Sequence, residues 1–154
     1  MISATHLIGI ESKRFEPFRD ARRVSFSDAY MQHDRGEHMN RYGKVRDKLR
    51  SRDVRYHYLD AARLVEHAYW LVTEGRRIGR KPMLFYLFSE PTARGGHLIT
   101  AEDRKRHRDE IFDFAARVAG DEVAFGTTSY REFLGGATGR AEEHAAALIA
   151  RFNP

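Results

Sequence analysis

Leu7-Ile8-Gly9-Ile10-Glu11, running on into Ser12-Lys13, is the stretch on which the reading of the fold turns. Its short aliphatic run, with Pro17 downstream, has the pattern of a strand. A second run, Pro82-Met83-Leu84-Phe85-Tyr86-Leu87-Phe88, is apolar without interruption and has proline on both sides, as expected of a strand buried on both faces. Between them Asp60 is a good N-cap for a helix. Its Ala61, Leu64, Val65, Ala68, Leu71 and Val72 form one apolar stripe that ends near Gly75. Thr100 with Asp103 resembles a capping box opening a further helix, in which Ile111, Phe114, Ala115 and Val118 face inward until Gly120 stops it. Another strand follows at Val123–Thr127. Strand, helix, strand, helix, strand predicts parallel strands joined by right-handed crossovers, so the fold class is α/β.

Outside this frame residues 14–57 are polar, aromatic and irregular. They hold one predicted helix near Met39–Arg50, where Met39, Tyr42, Val45, Arg46 and Leu49 recur at three- and four-residue steps. Ser129 caps a short helix through Phe133, and after Gly135-Gly136 an Ala-rich helix runs from about Arg140 to Phe152. No repeat or low-complexity tract divides the chain, so one domain is the simplest account.

At 154 residues and 17.9 kDa the chain is long enough for one ordinary core. Hydrophobic residues at 42% exclude wholesale disorder, and no apolar run approaches the roughly 20 residues needed to cross a bilayer. The sequence has no Cys, which excludes disulfides, Cys-based zinc sites, iron–sulfur clusters and a cysteine nucleophile. Met1–His6 lacks the basic region of a secretion signal, so a cytoplasmic location is expected and no membrane partner.

The formal charge of +5 is localised. Residues 11–55 carry 13 basic and 8 acidic side chains, whereas the remainder balances at 14 of each. This basic third is interleaved with Phe15, Phe18, Phe26, Tyr30 and Tyr42, as expected where a surface tracks a nucleic-acid backbone. Arg, which forks onto phosphate, supplies 22 of the 27 basic residues. Arg with Ala also marks a GC-rich genome, so plain solvation is the competing reading.

Alternation along the first strand puts Glu11 and Lys13 on one side, their Cα atoms roughly 6.6 Å apart. A carboxylate and an ammonium sharing a site suit metal-assisted phosphodiester hydrolysis: the acid helps hold a hard divalent ion, and the lysine orients water and stabilises phosphate charge. The spacing alone is weak, because Asp103-Arg104-Lys105 repeats it on a predicted helix and a surface ion pair gives the same pattern.

Three blocks carry a resemblance: Leu7–Phe18 (LIGIESKRFEPF), Tyr58–Ala68 (YLDAARLVEHA) and Leu84–Pro91 (LFYLFSEP). In this order they resemble a bacterial group of restriction-endonuclease-like proteins in the PD-(D/E)xK nuclease superfamily, over roughly residues 5–130. The resemblance implies a mixed sheet flanked by helices on both faces and a Mg²⁺- or Mn²⁺-dependent endonuclease acting on DNA. Glu11 becomes the catalytic and metal-holding acid and Lys13 the catalytic lysine. Arg14, Arg19, Arg22, Arg23 and Arg63 become candidates for the DNA backbone, with Arg63 standing where a Gln-like residue is expected. The superfamily's other metal-binding acid lies on a preceding strand, so the resemblance implies a domain over residues 1–154 that lacks its N-terminal helix and hairpin. Glu16, Asp60 and Glu90 are the substitutes within reach, and Glu90 is favoured because it ends the second parallel strand. A missing hairpin also leaves an unpaired edge, which favours a homodimer.

Other constellations carry less. His33, Asp34, Glu37 and His38 have metal-capable spacings interrupted by Gly36. His67, Tyr69 and Trp70 read as packing residues of the Asp60-capped helix, and His107-Arg108-Asp109 as a coincidental triplet. Two alternatives to the nuclease stay open: a non-catalytic nucleic-acid-binding module on the same fold, and an interaction domain whose arginines reflect genome composition.

Overall fold

The computed structural model describes residues 1–18, Phe26 and residues 37–152. Three strands, β1 (His6–Lys13), β2 (Lys81–Phe88) and β5 (Ala124–Ser129), form a wholly parallel sheet in the order β1-β2-β5. The register pairs Ile8 with Met83, Glu11 with Tyr86 and Lys13 with Phe88. Pro82 is tolerated in the central strand because its nitrogen faces β5, whose pairing begins one residue later at Met83 and Ala124. A separate antiparallel ribbon of two-residue strands, β3 (Ala93–Arg94) and β4 (His97–Leu98), turns at Gly95 and Gly96, both at positive φ.

The helices are α1 (Asn40–Ser51), α2 (Ala61–Ile78), α3 (Ala101–Val118), α4 (Tyr130–Gly135) and α5 (Glu142–Phe152). Helix α2 outruns its expected end at Gly75. A Cβ on Gly75 would stand 2.8 Å from the Arg80 carbonyl oxygen, so the glycine is there for the close return of the chain into β2. The helix stops at Gly79, which takes the left-handed conformation at φ 64. The capping boxes of Thr100 with Asp103 and of Ser129 with Glu132 both form.

One apolar cluster joins α1, α2 and α3 to Leu7, Leu84, Tyr86 and Phe88 on a single face of the sheet. Two acids from α3 and its exit lock these layers. The Glu110 carboxylate accepts the backbone N–H groups of His57, Tyr58 and Leu59 at 2.7, 2.7 and 2.9 Å, which fixes the approach to the Asp60 cap of α2. Asp121 accepts from Arg41 and Tyr42 at 2.9 Å each and so satisfies the first turn of α1.

One expectation about the sheet is corrected. It is parallel rather than mixed, and antiparallel pairing enters only at its edge, where Met1–Ser3 folds back on β1: the Met1 amino group donates to the Ile8 carbonyl, and the Ile8 N–H to that of Met1, each at 2.8 Å. Among the described residues, moreover, the three core helices share one face. The opposite face presents Ile8, Ile10, Met83 and Phe85, with Ile10 48% exposed, and α4 reaches it at the strand end through Tyr130, whose hydroxyl lies 2.5 Å from Ser12 Oγ. No described helix is long and apolar enough to cross a membrane.

His107, fully buried on α3, is ringed by Phe18, Tyr58, Tyr86 and Phe88 and shares a 3.1 Å hydrogen bond with the Tyr86 hydroxyl through Nε2. Burial, aided by the neighbouring Arg108 charge, lowers its pKa from 6.5 to about 4. Between those values the unfolded chain binds the extra proton. Stability is therefore complete above pH 6.5 and falls by roughly 3 kcal/mol as pH drops to 4. Denaturant unfolding from pH 7 to pH 4 should show that fall, and His107→Leu should flatten it.

Candidate active site at the end of the first strand

Residues Leu7, Gly9, Glu11 and Lys13 of β1 face α2. Gly9 leaves room for Leu71 to lie directly against the strand, since a Cβ there would stand 2.8 Å from Leu71 Cδ1. From Gly9 to Glu11 the strand advances roughly 6.6 Å, and from Leu71 back to His67 the helix recedes by about 6 Å. The two ladders therefore stay in step, and His67 arrives over Glu11.

The resulting cluster has two short links. Lys13 Nζ lies 2.7 Å from Glu11 Oε1, and His67 Nδ1 lies 2.9 Å from Glu11 Oε2. Glu11 is 8% exposed. Burial pushes its carboxyl up, but the hydrogen bonds from His67 and Lys13, together with their charge, outweigh that and hold it at about 2. The carboxylate is thus ionised throughout the physiological range and accepts only, so the His67 proton on this side sits on Nδ1.

Of the other predicted residues, Arg63 stands one turn before His67 on the same face of α2, with Glu66 Oε2 3.6 Å from Nη1. Arg63, Glu66, His67, Trp70 and Leu71 line a cleft of about 360 Å³ with Gly9 and Ile10. Arg14 is exposed, its guanidinium 5.2 Å from the Phe15 ring centroid and 4.9 Å from that of Phe152. Arg19, Arg22 and Arg23 lie outside the described residues, as do His33 and Asp34.

Glu90 follows β2 but pairs with Arg108 Nη1 at 2.9 Å. Glu16 accepts the backbone N–H groups of Arg14 and Phe15, and Asp60 caps α2 by accepting from Arg63 N. The three substitute acids thus hold structural partners, and among the described residues no group of three His, Asp or Glu gathers at metal-holding distance.

His67 was expected in packing and instead touches the acid. Its signal was its place at the flank of the apolar stripe, four residues before Leu71. Trp70 is likewise no core residue, being 58% exposed, whereas Tyr69 is buried as expected. Compared with family models, curated proteins and solved structures, the chain matches none.

Replacing Glu11 by Gln keeps the shape and removes the charge facing Lys13 and His67, at an expected cost of about 1–3 kcal/mol near neutral pH. Because the folded Glu11 pKa is lowered from 4.5, its contribution is present above pH 4.5 and lost as pH falls to 2. Unfolding curves of wild type and Glu11→Gln should therefore converge toward pH 2, and a constant gap would contradict this.

Proposed function

We propose that the chain is a divalent-metal-dependent phosphodiesterase of the PD-(D/E)xK type acting on DNA. The observation that carries this reading is the Glu11–Lys13 pair, 2.7 Å apart at the carboxyl end of a parallel strand, where α/β sheets present functional groups. The resemblance of the three sequence blocks and the basic first third support it.

The fit of Mg²⁺ or Mn²⁺ to these residues is partial. Such ions take one or two carboxylates and complete their shell with water and phosphate oxygens. Glu11 supplies one permanently ionised carboxylate with lone pairs beyond those used by Lys13 and His67, and it is the residue that would hold the ion. When bound, the ion supplies Lewis-acid activation of water and phosphate. The remaining roles belong to the chain. His67 fixes the Glu11 carboxylate plane through Nδ1. Lys13, restrained by the same carboxylate, offers its ammonium to a phosphate oxygen and the attacking water. Arg63 presents its exposed guanidinium to the backbone one turn of α2 away.

One observation favours the second reading, a nucleic-acid-binding module without catalysis: both Glu11 oxygens are satisfied by the chain's own groups, and no third ligand joins them among the described residues.

The two readings separate in a plasmid-nicking assay with Mg²⁺ or Mn²⁺. The nuclease reading expects nicking that falls by at least about a hundredfold in Glu11→Ala and Lys13→Ala, in keeping with the size of single catalytic contributions. Salt-sensitive DNA binding with no nicking would establish the module instead.

A further inference from the structure

The cleft beside Glu11 contains more than hydrolysis of a backbone requires. Trp70, 58% exposed on α2, lines it seven residues after Arg63 and three after His67. Those spacings put all three on one helical face, and the Gly9–Ile10 segment of β1 forms the opposite wall. At about 360 Å³ the cleft lies at the lower end of the range for small ligands, roughly 300–1,000 Å³. Its lining is divided: an aromatic plane, an arginine on the rim, and a carboxylate, Glu66, 3.6 Å from that arginine. An indole plane beside a cation matches a base next to its phosphate, because stacking on an aromatic ring is tolerant of base identity while arginine takes the phosphate.

We infer that this cleft takes one unpaired nucleotide, its base stacked on Trp70 and its phosphate on Arg63, so that the strand is led past His67 toward Glu11 and Lys13. The chain then prefers single-stranded or locally unpaired DNA over an intact duplex, in which each base is already stacked and its face is closed to the indole. The assignment rests on the nuclease reading only for the choice of DNA as ligand. It concerns binding and makes Trp70 a positioning residue.

Trp70 is the only tryptophan in the chain, so fluorescence excited selectively at tryptophan, outside the absorption of the seven tyrosines, reports on this cleft. The full-length protein, in EDTA to prevent cleavage and at about 0.15 M salt to screen loose contacts, is titrated with short oligo(dT) and with a duplex of equal length. Saturable quenching by the single strand and weaker quenching by the duplex are expected. Anisotropy of a labelled oligo(dT) should show Trp70→Ala binding about tenfold more weakly, as loss of one stacked base entails. Absence of quenching, equal quenching by duplex, or unchanged binding in Trp70→Ala overturns the inference. Quenching without nicking by the wild type retains this site and removes the nuclease reading, whereas nicking without quenching does the reverse.

Discussion

The close approach of α2 to β1 at Gly9 is the constraint from which the site follows. With no side chain on Gly9, Leu71 packs directly over the strand, and the similar rises of two strand residues and of about one helical turn carry His67 onto Glu11. A Cβ at position 9 would meet the methyl groups of Leu71, and that side chain would have to turn aside. The Glu110 carboxylate serves the same end from the other side, since its three backbone bonds at 57–59 set where α2 starts and hence which residue meets Glu11.

Electrostatics then makes the cluster a local one. A nearly buried carboxylate is costly unless its charge is answered, and Lys13 and His67 answer it at 2.7 and 2.9 Å. The acid so held is ionised and oriented, as a hard cation or a phosphate-directed lysine requires. The acids expected to complete a metal shell are each drawn into another contact: Glu90 by Arg108 on α3, Glu16 by the turn after β1, and Asp60 by the cap of α2.

Periodicity made the core helices legible, because each buries one stripe and the stripe leaves its period in the sequence, and the strands were legible as short apolar runs. The period of two also placed Glu11 and Lys13 on one side. His67 was out of reach of that logic: its partner depends on the register between a helix and a strand some fifty residues apart, which shows only in three dimensions. Trp70 misled because large aromatics are usually buried, although it stands off the Leu64–Leu71 stripe. The β3–β4 ribbon is too short to leave a period, with Gly95-Gly96 as its single trace. Among the described residues the second face of β2 is only partly covered, with Met83 and Phe85 half-buried and Leu87 buried, which is less than its continuous apolar run by itself suggests.

The central claim is that Glu11 is a metal-holding acid rather than one half of a structural ion pair. Calorimetric titration of Mn²⁺ into the wild-type chain and into Glu11→Gln tests it most directly. The account predicts saturable binding to the wild type that is abolished in Glu11→Gln while the variant remains folded. Absence of Mn²⁺ binding, or identical binding by both proteins, would contradict it and leave Glu11, Lys13 and His67 as a structural cluster.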